Sequence, residues 1–357
     1  MDDKNPHLAV VILNYNGLHF LKQFLSSVYQ SVYPNWDLYI ADNGSTDASV
    51  AYLKEEGFLE YKTDVAASEN TNFGKYIIKM EGNSGFAGGY NKALLQNDLK
   101  ADIFVLLNSD VEVSADWLQN VVTEMVKNPK IGAAQPKILD YKQKNQFEYA
   151  GAAGGMLDKW GYPFCRGRIF DTTEQDCGQY DDNCAIFWAT GAALFVRKAI
   201  FVELGGFDVD YFAHVEEIDL CWRIQLKGHE VWYCGASKVW HVGGGTLSVE
   251  NPRKTYLNFR NSLFTIFKNE AGWFRTLIVI YIRLLLDGVA ALKFLFSGKF
   301  ANIWAIIKAH WVFFISIPSL IKKRKQVQLP NSMKIAKYNK SIVYQYFIKN
   351  KKKYTDL

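Results

Sequence analysis

The stretch FVLLNSDVEV (104–113) runs four apolar residues into Asn108-Ser109-Asp110 and then alternates. A buried strand that ends this way puts one carboxylate, Asp110, at its carboxyl edge, where ligands bind in open α/β sheets. A turn or cap role is the plainer alternative, but Ser114 is the better cap for the next helix and leaves Asp110 free. Mg2+ and Mn2+ prefer oxygen ligands and keep several waters, so a lone acid here suits an ion shared with phosphate. Asp42 closes a second strand, WDLYIAD, before the turn NGSTD. Beyond its turn role, a carboxylate there can accept the imino N–H of uracil or thymine. Asn14, Tyr15 and Asn16 end the first strand and can flank the same base.

Three further stretches carry chemistry. NSGFAGGYNKA (83–93) sets Gly85, Gly88 and Gly89 before an expected helix at 90–98, so backbone can approach a phosphate or sugar at the positive end of the dipole. It is not a dinucleotide fingerprint: the spacing is wrong and it follows the third strand. Helical spacing over 215–228 gathers Glu216, Asp219, Arg223 and Lys227 on one polar arc, with Asp219 and Arg223 four apart. Glu217 falls on the apolar side beside Cys221 and Ile224. A carboxylate placed there either answers the helix dipole or is a general base whose pKa burial raises. His241 ends a strand before three glycines. It is either a packed imidazole, a second metal ligand or a donor to a diphosphate.

The elements that must position these groups alternate from the start. Strands are expected at 8–13, 36–41, 76–80 and 102–107, with helices at 18–28, 47–56 (capped by Ser45 or Thr46) and 114–128. That order predicts a doubly wound, mostly parallel α/β sheet with its ligand at the strand carboxyl ends. Residues 139–185 are rich in Gly, Asp and aromatics without periodicity and read as an active-site insertion. Strands are expected again near 230–234 and 238–241. Five cysteines without CxxC spacing support neither a disulfide framework nor a structural zinc. The amino terminus carries acids where a signal peptide needs bases, so the body is expected in the cytoplasm.

The texture changes near residue 258. Two long aromatic and apolar runs follow, interrupted by Arg283, Asp287, Lys293 and Lys308, and then a basic segment. The expected organisation is a catalytic domain over 1–257, membrane-associating helices over 258–321 and a basic tail over 322–357. Interrupted apolar runs beside a basic segment fit helices lying on an anionic membrane surface better than helices crossing it. Nucleic-acid binding is disfavoured, because the aromatics sit in apolar runs instead of alternating with the basic residues.

Taken in order, VVILNYNG, ADNGSTD, NSGFAGGYN, LLNSDVEV, GGFDVDYFAHVEEIDLCWR and WHVGGGT resemble family 2 glycosyltransferases of the GT-A fold, in the bacterial rhamnosyltransferase-like and galactofuranosyltransferase-like subgroup. The resemblance covers residues 8 to about 270. It implies inverting transfer from a UDP- or dTDP-sugar, such as dTDP-rhamnose, to a glycan or polyprenyl-linked acceptor in cell-surface polysaccharide synthesis. The enzyme would work at the cytoplasmic face of the inner membrane as a peripheral or monotopic protein. By the same resemblance Asp42 reads the base, and Asp110 with His241 holds Mg2+ or Mn2+. Asn14, Tyr15, Asn16, Asn83, Gly85, Asn91, Asn108 and Ser109 line the nucleotide-sugar site, with Asn108 in place of the first acid of a DxD motif. Glu217 aligns with the base. Relatives often carry Glu-Asp at 216–217 where this chain has Glu-Glu, which keeps Glu216 and Asp219 open as alternatives. A catalytically silent, membrane-tethered nucleotide-sugar-binding protein is the rival reading.

Overall fold

The computed structural model describes residues 5–62, 73–243, 251–327 and 337–357. Its main sheet contains β1 (Leu8–Asn14), β2 (Trp36–Asp42), β3 (Leu59–Glu60), β4 (Lys75–Lys79), β5 (Ile103–Asn108), β6 (Val111–Val113) and β7 (Ile131–Asp140). A small antiparallel sheet follows, made of β8 (Gly155–Leu157), β9 (Pro163–Cys165), β10 (Arg168–Ile169) and β11 (Thr172–Thr173). The chain then rejoins the main sheet through β12 (Asn183–Ile186), β13 (Ala193–Arg197) and β14 (Glu230–His241). The order across the main sheet is β12-β14-β7-β13-β5-β1-β2-β4-β3, with β6 paired to β14.

Direction decides function here. β1 pairs in parallel with β2 and β5, β2 with β4, and β7 with β14; β13 runs antiparallel to both β5 and β7. The strands ending in Asn14, Asp42, Asn108, Asp140 and His241 therefore all point the same way and release those residues at one edge. Register aligns them further, with Asn14 opposite Asp42 and His241 opposite Asp140.

The period-2 alternation of β1 feeds two cores. Leu8, Val10 and Ile12 pack with Leu21 and Val28 of α1 (Leu18–Tyr29), Leu53 of α2 (Ser49–Glu55) and Trp117 and Val121 of α4 (Trp117–Lys127). Ala9 and Val11 share the opposite core with Tyr90 of α3 (Gly85–Leu95), Phe201 of α5 (Lys198–Glu203), Ile218 of α6 (Glu216–Leu226) and Leu263 of α7 (Pro252–Asn269). The chain continues with α8 (Trp273–Phe296), α9 (Phe300–Gln326) and α10 (Ile342–Phe347).

Several local expectations shift. The helix expected at 90–98 begins at Gly85, so its glycines lie inside α3. Neither Ser45 nor Thr46 caps α2, whose N-cap is Ala48. Ser114 donates its hydroxyl to Asp116, the N-cap of α4, instead of capping that helix itself. The strands expected at 230–234 and 238–241 are the two halves of β14. Between Cys234 and Lys238 its register against β7 jumps, and Gly235-Ala236-Ser237 bulge out. That bulge is pinned on three sides: Asn183 accepts from the Gly235 N–H, Asn120 donates to the Ala236 carbonyl, and Ser237 donates to the Trp117 carbonyl at 2.8 Å. The textural changes at 257/258 and 321/322 fall inside α7 and α9 instead of between elements.

The region 139–185 is ordered against the body. Trp188 lies flat on Gly155, its indole N–H donates to the Met156 carbonyl at 3.0 Å, and the Gly155 N–H donates to the Trp188 carbonyl. A Cβ on Gly155 would lie 2.1 Å from the indole ring. The end of the chain docks on the same small sheet: Ile342 and Tyr346 bury against Phe164 and Ile169, and Asp158 accepts from the Ile342 N–H at 2.9 Å. The expected basic tail is thus partly built into the protein, with Lys323 on Asp208 and Lys337 on Glu270.

Because Trp188 has no room to retreat from Gly155, Gly155→Ala should lower unfolding free energy by about 1–3 kcal/mol, the usual range for overpacking. Chemical denaturation followed by tryptophan fluorescence measures it; an unchanged midpoint would show that the ring yields freely.

Candidate active site

After Asn108 the chain turns through Ser109 and Asp110 into β6, which pairs with the end of β14 so that Val111 faces His241. The Val242 N–H donates to the Asp110 carbonyl at 3.0 Å and fixes the turn. Nε2 of His241 stands 3.2 Å from Oδ1 of Asp110 and 3.4 Å from Nδ2 of Asn108. Its Nδ1 lies 3.4 Å from Oε2 of Glu148. All three charged groups are buried. Burial opposes a charged imidazole, but the Asp110 and Glu148 carboxylates beside it outweigh burial and push His241 up to about 10. Burial likewise works against the Asp110 carboxylate, and His241 nonetheless holds it below its ordinary value.

The spacing of Asp110 and His241 suits a divalent ion only once the imidazole gives up its Nε2 proton, since a ligating histidine is neutral. Octahedral Mg2+ with bonds of about 2.1 Å sets adjacent ligands about 3 Å apart, close to the 3.2 Å between Asp110 and His241. Among the described residues no group of three or more His, Cys, Asp or Glu side chains is arranged to hold a metal. Any ion here would complete its shell with substrate oxygens and water. Glu148, the carboxylate behind the imidazole, was missed in the sequence because it sits alone in FEYAG within an aperiodic stretch. Gly244, Gly245 and Thr246 of the segment after His241 lie outside the described residues.

At the neighbouring strand ends, Asp42 is buried and accepts from Asn14 Nδ2 at 3.2 Å and from the Ser45 N–H at 3.1 Å. Oδ1 of Asn14 is buried without a hydrogen-bond partner among the described residues. Ser109 approaches from β5, with its Oγ 3.6 Å from where a Cβ of Gly17 would stand. Tyr15 is exposed. Asn16 differs from its expected base-flanking role: its Oδ1 accepts from the Thr46 N–H at 2.7 Å and ties β1 to the 45–47 turn. Asn43 reaches across to the next turn, donating to Asn83 Oδ1 and the Gly85 carbonyl, both at 3.2 Å.

The start of α3 is not open to phosphate as expected. The N–H groups of Phe86 and Ala87 both donate to the carbonyl of Phe212, and that of Gly85 to Asn83. The close approach that Gly85 permits is to Phe212, whose carbonyl a Cβ would meet at 2.6 Å, at φ +72°. Asn91 is also committed elsewhere, donating to the Phe207 carbonyl at 2.7 Å and accepting from its N–H at 2.9 Å.

Phe212 opens the loop that leads into α6. Phe212, His214 and Val215 hold φ of 62°, 70° and 75°, left-handed values that cost non-glycine residues of order 1–3 kcal/mol each. Glu216 and Glu217 follow at once, in the first turn of α6. Glu217 is half-buried, and burial pushes it up to about 7 against the pull of backbone N–H groups at the helix start. Glu216 is more deeply buried, its Oε2 has no partner among the described residues, and its carboxyl is raised further by burial and by Glu217.

Of the polar arc, Glu216, Asp219 and Arg223 face inward and Lys227 is exposed. Asp219 has no exposed surface; Arg223 Nε donates to it at 2.8 Å and Asn269 Nδ2 at 2.8 Å, while Lys268 Nζ lies 2.9 Å away. Burial alone would raise its carboxyl, yet Lys268 and Arg223 hold it well below the carboxylate range. A group so committed and so acidic has little capacity to take a proton. The sequence showed only Arg223; the Tyr211 hydroxyl, which also donates to Asp219, precedes the helix, and Lys268 and Asn269 stand on α7, some fifty positions later.

A family model described as Glycosyl transferase family 2 matches residues 9–191. The chain is 24% identical over 275 residues to the N-acetylglucosaminyl-diphospho-decaprenol L-rhamnosyltransferase of Mycobacterium tuberculosis, covering 75% of this chain and 86% of that protein. Its structure is similar to that of S. aureus TarS 1–349 in complex with UDP-GlcNAc, with a TM-score of 0.56 and 13% identity over 89% of this chain and 83% of the other. It is also similar to the mannosyltransferase PcManGT of Pyrobaculum calidifontis in complex with GDP-Man and Mn2+, with a TM-score of 0.51 and 12% identity over 91% and 88% of the two chains. The shared fold is GT-A.

Asp219→Ala would leave Arg223 without a carboxylate in the interior and Lys268 with Asp208 alone, and should cost about 3–5 kcal/mol of stability. Since the native Asp219 carboxyl is depressed, its contribution is fully present above about pH 4 and is lost as pH falls through the native value. Denaturation of both proteins at pH 7 and pH 3 checks this; the gap between them should narrow at the lower pH.

Proposed function

This chain belongs to glycosyl transferase family 2 and is a glycosyltransferase, and from that premise we propose an inverting transfer from a UDP- or dTDP-sugar to a polyprenyl-diphosphate-linked glycan. The observation that carries the reading is spatial. Asn14, Asp42, Asn108 and Asp110 leave one edge of the sheet, and the α3 turn beside them is bonded to Phe212, three residues before the bend into the Glu216–Glu217 turn. This supports a donor side and an acceptor side that are neighbours.

In this reading Asp42 accepts the imino N–H of the uracil or thymine ring with lone pairs that Asn14 and Ser45 leave open. Asp110 and His241 are the residues that would hold a divalent cation, which when bound supplies positive charge to the leaving diphosphate. Glu217 takes the proton of the acceptor hydroxyl as its oxygen attacks the anomeric carbon and the bond to diphosphate breaks. A carboxyl poised near 7 suits that task at physiological pH. Asp219 serves the fold instead. The decaprenyl-diphosphate acceptor in the name of the mycobacterial relative supports a lipid-linked acceptor for this chain.

The carboxy-terminal helices support a membrane site. Arg283 and Asp287, which interrupt the apolar run of α8, point inward: Arg283 donates to the Gly161 carbonyl at 2.8 Å and lies 3.7 Å from the Tyr162 ring centroid, and Asp287 meets His310 at 3.1 Å. The opposite faces expose Phe274, Tyr281 and Phe296 of α8 and Trp304, Trp311 and Phe314 of α9. α9 is long and apolar enough to cross a membrane. With Arg283 and Asp287 turned to the protein, the pair reads as lying on the cytoplasmic face of the membrane, where the acceptor lipid is reached sideways. Five unpaired cysteines suit a reducing compartment.

The function is tested with UDP-, dTDP- and GDP-sugars and N-acetylglucosaminyl-diphospho-polyprenol. Glu217→Gln should cut kcat by about 10²–10⁴-fold and retain donor binding, and the acid limb of kcat near pH 7 should disappear with it. Asp110→Asn should abolish divalent-dependent binding of the nucleoside diphosphate. An active Glu217→Gln enzyme would remove the base from this residue. For the membrane, Trp304→Glu with Trp311→Glu should abolish flotation with anionic phosphatidylglycerol vesicles; a parent protein that ignores such vesicles would refute the surface.

A further inference from the structure

The carbonyl groups of residues 211–214 point in succession at fixed donors. Asn261 of α7, wholly buried, donates from a single amide nitrogen to the carbonyls of Tyr211 at 3.1 Å, Ala213 at 3.0 Å and His214 at 2.7 Å. Its own Oδ1 accepts from Arg260 Nε at 2.8 Å, and Arg260 also donates to the Asp210 and Tyr211 carbonyls at 2.7 and 3.2 Å. The carbonyl they leave, that of Phe212, is taken by the first N–H groups of α3. Three of the four residues from 212 to 215 stand at left-handed φ, including the β-branched Val215. Such a path relaxes unless its surroundings hold it. Glu216 and Glu217 leave it directly, so the direction of their side chains is set by this path.

We propose that Asn261, oriented by Arg260, is the positioning residue of the base: it holds the strained 211–215 path from α7 and so aims Glu217 at the acceptor hydroxyl. The donor-site turn at 83–87 grips the same path from the other side, which sets the base against the donor as well as against the fold. The inference rests on Glu217 being the base. A misplacement on the order of 1 Å costs transfer about 10²-fold while leaving donor contacts intact.

The test uses the full chain, the acceptor above and the donor of the panel that gives the highest turnover. Asn261→Asp keeps the shape and can pair with Arg260 but has no N–H to give the carbonyls. It should lower kcat about 10–100-fold with donor KM within about threefold. Placed on Glu217→Gln it should add less than about threefold, since there is no base left to aim. Adding Val215→Gly to Asn261→Asp should return about tenfold of kcat, because glycine adopts φ near 75° without strain. An Asn261→Asp enzyme with parental kcat, or one whose loss is as large in the Glu217→Gln background, overturns the proposal. Should that variant fail to fold, Arg260→Met gives the same comparison from a half-buried position, and parental kcat there overturns it equally. Full activity of Glu217→Gln would instead sink the assignment of the base.

Discussion

One buried charge cluster holds the working parts of this molecule in register. Asp219 sits without solvent between Arg223 of its own helix and Lys268 of α7; Lys268 continues to Asp208, and Asp208 to Lys323 of α9. Taking such charges out of water is costly and is repaid only if each keeps its partners. The arrangement is therefore close to all-or-none. α6, the 208–215 path, α7 and α9 either sit together or leave charges stranded. The Glu216–Glu217 turn and the outward apolar faces of α8 and α9 are both fixed by the same cluster.

Strand ends were readable in the sequence because the apolar runs before Asn14, Asp42 and Asn108 are short, β-rich and end in turn residues, and these are local properties. Their meeting at one edge followed from the alternation of strands and helices. The face of α6 was not readable in this way. Periodicity grouped Glu216, Asp219 and Arg223 correctly, but a polar arc usually faces solvent and these three do not. The partners that reverse this, Lys268 and Asn269, belong to a helix about fifty residues on. The glycines of NSGFAGG were read as a loop for the same local reason. In the structure their helix start is satisfied by Phe212, a residue more than a hundred positions away. Glu148 and Asn261 had no spacing signal at all.

The apolar run of α8 shows how a charge changes meaning with direction. Counted along the sequence, Arg283 and Asp287 weaken a membrane helix. Placed on the inward face, where a tyrosine ring, a carbonyl and His310 receive them, they bind α8 to the protein and leave the outer face apolar. Mean hydropathy cannot distinguish these cases, because it averages over the face that decides the matter.

The bulge in β14 bears on how this chain tolerates changes of length. Side chains alternate along a strand, so losing one residue turns every later one to the other face. Gly235-Ala236-Ser237 are spent between the pairs Cys234–Pro136 and Lys238–Lys137, and His241 lies only three positions beyond. Substitutions at Ala236 change little that His241 feels. A deletion there reverses the parity of the strand end and carries the imidazole away from Asp110 and Glu148, with the sheet otherwise intact. In this strand the count of residues is more constrained than their identity, and an indel is the change it is least able to absorb.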